Sequence, residues 1–354
     1  MNVMDEVFKA YGISCERTPF GNGHINDTYI AGDFIIQRIN TSVFKNPEEL
    51  MSNILEVTSY LRKKLSENGE DPERGTLTVI PTTEGKSYYT ASDNTVYRVY
   101  KLIENSISYD KITPELLYKA AYGFGYFQKL LSDFDSGKLY ETIPDFHNTP
   151  KRYEALMRAV SVDAYGRARE VKGELEYVNS RRDQLSVVID GLNDGSIPTR
   201  VTHNDTKINN VLLDRDSGEY VAVIDLDTVM PGSLLYDYGD AVRSAANLAA
   251  EDERDLYRVG INYENVRSFT EGFLKSIGDG ITPKEISLLI FSVKLIAMEL
   301  GIRFLTDYLS GDTYFKTTRE GQNLDRARCQ LRLAQCVEEN GEALEEIVRD
   351  CLTQ

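Results

Sequence analysis

His203-Asn204-Asp205-Thr206-Lys207-Ile208-Asn209-Asn210, with Ile224-Asp225-Leu226-Asp227 further along, is the stretch on which the reading of this chain turns. It has the form H-x-D-x-x-x-x-N, then an apolar run, a turn, and a second apolar run ending in aspartate. Val211-Leu212-Leu213 and Val221-Ala222-Val223-Ile224 predict two strands joined by the turn Asp216-Ser217-Gly218. Such a hairpin brings Asn210 and Asp225 to the same end of the ribbon, where oxygen atoms from both can share one hard cation. An Asx-rich turn capping a hairpin would explain an isolated D-x-x-x-x-N. Here loop, hairpin and second aspartate occur in order, flanked by apolar strand residues.

This arrangement resembles the catalytic loop of protein kinases and their small-molecule relatives. The resemblance implies that Asp205 meets the hydroxyl that attacks a γ-phosphate. Asn210 and Asp225 would be the metal ligands, with Mg2+ as the metal.

Composition narrows the alternatives. The chain has 354 residues, enough for two lobes with a sizeable core. Its 56 acidic and 40 basic residues give a formal net charge of −16, which argues against nucleic acid and against an anionic membrane surface as partners. No obligate protein partner is implied. Met1-Asn2-Val3-Met4-Asp5-Glu6 shows no basic stretch leading into an apolar core, so a cytoplasmic location is expected. Cys15, Cys329, Cys336 and Cys351 have neither C-x-x-C spacing nor companion histidines, and read as free thiols.

The pattern along the chain predicts an α+β, two-lobed architecture. Residues 1–104 form a small β-rich N-lobe and 105–354 a larger helical C-lobe carrying the catalytic loop. Asp27–Ala31 and Phe34–Ile39 read as a hairpin about Gly32-Asp33. Asn46 caps a helix that begins at Pro47 and runs to about Ser66. Leu77–Ile80, Ser87–Ala91 and Val96–Leu102 read as strands, and helices are expected at 114–133, 150–169, 172–192, 282–309 and 318–339.

Gly21-Asn22-Gly23 precedes the first hairpin, where glycines let backbone N–H groups approach phosphate oxygens. Protein kinases carry V-A-I-K on the next strand. Here Phe34-Ile35-Ile36-Gln37-Arg38 offers Arg38, either as a phosphate ligand or as a solvent-facing residue. Glu48, Glu49 and Glu56 are equal candidates for its partner. The segment Tyr97–Glu104, with Lys101 and Ile103, stands where backbone groups would meet adenine. Of the three histidines, His203 is expected to brace the catalytic loop and His147 to be structural, while His24 stands beside the glycine loop.

Several motifs together resemble the aminoglycoside phosphotransferase and choline kinase-like superfamily, and within it the bacterial N-acetylhexosamine 1-kinases. They are G-N-G-H-I-N-D-T-Y at 21–29, Q-R-I-N-T-S-V-F at 37–44, D-G-L-N-D-G-S-I-P at 190–198, V-T-H-N-D-T-K-I-N-N at 201–210 and I-D-L-D-T-V-M-P-G-S at 224–233. Tyr236–Asp240 and Gly301–Phe315 add to them. The resemblance implies a protein kinase-like fold and transfer of phosphate from ATP, with Mg2+, to the C1 hydroxyl of N-acetylglucosamine or N-acetylgalactosamine. It implies Asp205 as catalytic base, and His24, Arg303 and Tyr314 with Asp205 around the sugar. Two alternatives stay open. One is a kinase for a cationic or other small acceptor, recruiting Tyr236, Asp237, Asp240 and Asp312; the other is a catalytically silent binding protein on the same scaffold.

Overall fold

Asn46 starts the longest helix of the N-terminal region. Its backbone is extended and its side chain accepts the Glu49 N–H, with Pro47 at the first helical position. This helix belongs to a computed structural model that describes residues 2–19, 27–111 and 113–353. Gly21, Asn22, Gly23 and His24 therefore lie outside the described residues.

The strands, in chain order, are β1 (Thr18–Pro19), β2 (Asp27–Ala31), β3 (Phe34–Ile39), β4 (Val79–Ile80), β5 (Tyr89–Thr90) and β6 (Val96–Lys101). They continue with β7 (Ser106–Ile107), β8 (Arg200–Thr202), β9 (Val211–Asp214), β10 (Tyr220–Val223) and β11 (Met230–Gly232). The helices are α1 (Val3–Tyr11), α2 (Pro47–Glu67), α3 (Pro72–Gly75), α4 (Pro114–Leu130), α5 (Thr149–Val162), α6 (Lys172–Asn179) and α7 (Val187–Asp194). After them come α8 (Leu234–Ala246), α9 (Tyr263–Ile277), α10 (Pro283–Ile286), α11 (Leu289–Leu309), α12 (Gln322–Glu339) and α13 (Gly341–Leu352).

The chain divides into two units. The first takes in residues 1–108, 130–144 and 210–231. Its main sheet has the order β1-β2-β3-β6-β4, with β5 also on β6, and a smaller sheet has the order β10-β9-β7. Strand alternation gives the main sheet two faces. Ile36, Tyr97 and Val99 share one of them, and Val7 and Tyr11 of α1 close a core against it. The other face carries Gln37, Arg98 and Tyr100.

The second unit takes in residues 109–129, 145–209 and 232–354. Its centre is α11, buried on nearly every side as expected of a helix apolar all round. It packs against α12, α8 and α5. Gly239 sets the approach of α8 to α11, because a Cβ there would lie 2.7 Å from the Ser292 carbonyl oxygen. A β-rich unit with a larger helical unit is a two-lobed, protein kinase-like α+β fold.

Some helices are shorter than the periodicity suggests. Asp163 adopts a left-handed conformation, φ 40°, and ends α5 at Val162. The expected 172–192 helix is broken between α6 and α7, where Arg181 turns onto Glu338 at 2.7 Å and stacks on the Tyr177 ring at 3.7 Å. Tertiary pairing overrides helix propensity there. Gly321, φ 69°, starts α12 at Gln322 rather than Thr318.

Gly239→Ala should lower stability by about 1–3 kcal/mol through overpacking against α11 backbone. Thermal unfolding measures it, and an unchanged midpoint would mean that α8 can move off α11 without cost.

Candidate active site

Asp237, in the first turn of α8, organises the catalytic-loop segment. Ser233 caps the helix by accepting the Leu235 N–H. The Asp237 carboxylate is almost fully buried, with 2% exposure. Its Oδ2 accepts the His203 N–H at 2.9 Å and Gln128 Nε2 at 2.9 Å, and its Oδ1 accepts the Asn204 N–H at 2.7 Å. Its backbone carbonyl accepts the Thr206 hydroxyl at 2.7 Å. Asn204 has φ 63°, a conformation that asparagine tolerates better than most residues. Burial pushes the Asp237 carboxyl above the usual range, against the opposing pull of His203 and the two backbone donors.

His203 is fully buried, edge-on to Phe124 and Phe127. Its Nδ1 accepts the Asp205 N–H at 3.2 Å, so it braces the loop as its sequence position suggests. The Asp205 carboxylate stands 2.8 Å from Lys207 Nζ, its side chain 22% exposed.

The β9–β10 hairpin pairs Val211 with Val223, and the Ile224 N–H donates to the Asn210 carbonyl at 2.8 Å. Asn210 and Asp225 thus stand at the same end of the ribbon. Asp225 is in a left-handed conformation, φ 60° and ψ 58°, just before a short 3-10 turn at Leu226–Thr228. Such backbone is uncommon for a side-chain-bearing residue and gathers at functional positions. One neutral and one anionic oxygen donor suit a hard cation that keeps phosphate and water as further ligands. Among the described residues no cluster of three or more acidic, His or Cys side chains forms a self-sufficient metal site.

Arg98 was not singled out by the sequence. It is fully buried on β6, its Nη2 lying 2.5 Å from Asp227 Oδ1. Its Nε and Nη2 donate to Gln37 Oε1 at 3.1 and 2.8 Å, and Gln37 Nε2 donates to Thr28 Oγ1 at 3.2 Å. Thr28, Gln37 and Arg98 are register partners across β2, β3 and β6. Burial opposes the charge on Arg98, but Asp227, Tyr100 and Asp225 more than offset it and hold its pKa above the usual arginine value. Arg98 Nη1 has no hydrogen-bond partner among the described residues. An orphaned buried donor of this kind costs about 1–3 kcal/mol, and more when charged.

Arg38 points to the other face, its register partner being Tyr97. It pairs with Asp27 at 3.4 Å near solvent, which leaves it away from the Arg98 row. Glu48 and Glu56 are exposed, and Glu49 is half-buried in the first turn of α2. The buried polar groups of α2 are instead Asn53, bonded to the Tyr140 N–H and to the Tyr140 and Val229 carbonyls, and Thr58, whose hydroxyl donates to the Ile54 carbonyl. Lys101 reaches Glu73 at 3.2 Å and its N–H donates to the Thr78 carbonyl. Ile103 is buried and its carbonyl accepts the Ser106 hydroxyl at 2.6 Å.

A second cluster forms in the helical unit. The Arg303 guanidinium on α11 lies against the rings of Phe146 and Phe315, 5.5 and 5.6 Å from their centroids. It is 3.9 Å from Glu299, one turn earlier. Glu299 is fully buried and accepts the Thr149 hydroxyl at 2.7 Å, with His147 Nδ1 at 3.0 Å. Burial pushes the Glu299 carboxyl up, but His147 and Arg303 outweigh it and hold it below the usual range. His147 stacks on Tyr236, ring centroids 4.6 Å apart. Tyr314 is exposed, on a loop whose N–H groups at Thr313, Tyr314 and Phe315 all donate to Asp307 at 2.9 Å.

The carboxylates available for a cation cage are engaged elsewhere. Asp237 holds the loop, Asp240 pairs with Arg243 at 2.8 Å, and Asp312 pairs with Arg167 at 2.7 Å. The signal for Asp237 was its place at the start of an apolar helix. The signal for Arg98 was a cation in the middle of a strand, flanked on both sides by Val and Tyr.

Asp237→Asn should destabilise the protein by about 2–4 kcal/mol, because one acceptor oxygen becomes a donor facing donors. Hydrogen exchange should speed at the amides of His203 and Asn204 above all. Unchanged exchange there would remove Asp237 as the loop clamp.

Among solved structures, an aminoglycoside phosphotransferase from Alicyclobacillus acidocaldarius is similar with TM-score 0.64 and 14% identity, over 98% of this chain and 96% of that one. A microcompartment-associated aminopropanol kinase is similar with TM-score 0.59 and 14% identity, over 97% and 98%. Spectinomycin phosphotransferase in complex with ADP and spectinomycin has TM-score 0.54 and 13% identity, over 95% and 98%. At these identities the likeness speaks for the fold. The family model described as phosphotransferase enzyme family matches residues 16–269, and the chain belongs to that family.

Proposed function

We propose that the protein transfers the γ-phosphoryl group of ATP to a hydroxyl of a small molecule, and that its acceptor is the C1 hydroxyl of an N-acetylhexosamine. The observation that carries the transfer reading is Asp205 on a loop clamped by Asp237, running directly into Asn210 beside Asp225. Family membership and the ADP complex of a similar structure support ATP as donor.

Asp205 accepts the hydrogen bond of the acceptor hydroxyl and orients its oxygen in line with the γ-phosphorus. As the new P–O bond forms, the bond from phosphorus to the ADP oxygen breaks and ADP leaves with the electron pair. The acceptor proton passes to the Asp205 carboxylate. Lys207 steadies that carboxylate at 2.8 Å. Asn210 and Asp225 would hold magnesium, which supplies neutralisation of phosphate charge when bound.

The sugar reading rests on the motif resemblance, and the chemistry around Arg303 supports it. A guanidinium between two aromatic rings offers planar donors and apolar faces, which suit a neutral, hydroxyl-rich ring. Burial and the nearby Arg303 both lower the Arg152 pKa, a sign of two cations close together.

A panel of sugars and amino alcohols read by ADP release, with product position assigned by phosphorus NMR, tests the reading. Turnover on amino alcohols alone would overturn the sugar assignment and leave the phosphotransferase intact. Asp205→Asn should slow turnover by at least about 10²-fold while Mg·ADP still binds. A variant as fast as wild type would remove Asp205 from the mechanism. Arg303→Ala should raise the sugar KM by roughly 10–100-fold, the equivalent of 1–3 kcal/mol, with the ATP KM little changed. Equal sugar KM in a folded Arg303→Ala protein would contradict the pocket.

A further inference from the structure

We propose that the protein's phosphate-holding cation is Arg98, carried on β6 with Asp227 as its counter-ion, and that Gln37 occupies the place on β3 where kinases carry lysine. The inference rests on the phosphotransferase reading and names a nucleotide-binding residue for it.

Protein kinases hold the donor phosphates with a lysine on the third strand, itself held by a glutamate on the following helix. Neither half of that pair stands in its usual place here. On the Arg98 face, β3 presents Gln37. On α2, the following helix, the buried polar residues are the neutral Asn53 and Thr58. Arg98 is the register partner of Gln37, so its guanidinium rises from the next strand on the same face and lies against the Gln37 amide. The acid has moved too. Asp227 stands two residues beyond Asp225, so the counter-ion and the expected metal carboxylate share one short turn.

Three observations point to a ligand rather than to packing alone. Arg98 is fully buried yet keeps Nη1 without a hydrogen-bond partner among the described residues. The row Thr28–Gln37–Arg98 links it side chain to side chain with β2, the strand that follows Gly21-Asn22-Gly23. Gln37 cannot compete for an anion: its carbonyl oxygen faces Arg98 and its amide faces Thr28. A lysine at 37 would set a second buried cation against Arg98, which explains the neutral amide there.

Arg98 and Asp227 hold each other, so removing one alone strands a buried charge. The informative variant removes both charges, Arg98→Met with Asp227→Asn. Calorimetry with Mg·ADP, thermal melting, and KM for ATP and for the acceptor are read together. The double variant is expected to melt near wild type, to raise the Mg·ADP dissociation constant and the ATP KM at least tenfold, and to leave the acceptor KM within threefold. Adding Gln37→Lys returns a cation to the same face and should recover at least part of the nucleotide affinity. A folded double variant that binds Mg·ADP within threefold of wild type overturns the proposal. So does a loss that Gln37→Lys leaves untouched, since the pair would then be purely structural. Where melting shows the double variant unfolded, Arg98→Lys takes its place: it keeps the charge, loses the fork, and should weaken Mg·ADP at least threefold, and unchanged affinity overturns the proposal. Wild-type protein that fails to bind Mg·ADP would sink the phosphotransferase reading as well, which separates the two failures.

Discussion

The carboxylate of Asp237 is the constraint on which the catalytic-loop geometry depends. Two consecutive backbone N–H groups and a glutamine amide converge on it inside the helical unit. With the carboxylate so buried, a donor aimed at it and left unpaired would cost free energy. That cost gives the loop from His203 to Thr206 a single arrangement. The close approach of α8 to α11 at Gly239 holds the carboxylate in position, linking helix packing to the orientation of Asp205.

Each unit buries charge in compensated groups rather than as isolated ions. Arg98 meets Asp227, Arg200 meets Glu285 through two bonds at 2.7 and 2.8 Å, and Glu299 meets His147 and Arg303. Buried pairs of this type add little net stability over apolar residues of the same size, because desolvation cancels most of the attraction. What they do supply is register. Arg98 fits only if β3 and β6 are aligned so that Gln37 lies opposite, and Glu299 fits only if α11 faces Thr149. Chemistry that depends on sub-ångström placement benefits from such all-or-none pairing.

Tyr236, which touches the Arg303 cluster through His147, and Asp237, which clamps the loop, are neighbouring residues of α8. Tyr236 stacks on His147, which bonds Glu299, while Asp237 next to it holds the loop. A small shift of α8 would therefore disturb both together. The proposed acceptor contacts and the proposed base are in this sense mechanically coupled through α8 rather than independently adjustable.

Local patterns determined a good deal. The hairpin that sets Asn210 beside Asp225 was legible because strand alternation and a turn of Asp-Ser-Gly are short-range properties. So was the start of α2, because Asn46 and Pro47 act within one turn. The two-lobed α+β class followed from the order of strand-like and helix-like segments. Helix ends at Asp163, Arg181 and Gly321 were less legible, since two of them depend on left-handed backbone and one on a partner at Glu338. Only the tertiary structure decided which cation stands beside Asp227. Read along the chain, Arg38 sits next to the lysine-like position; read across the sheet, it points the opposite way and Arg98 takes the place. The physical reason is that a strand's own sequence says which residues share a face, but pairing with a neighbouring strand decides which side chains meet there.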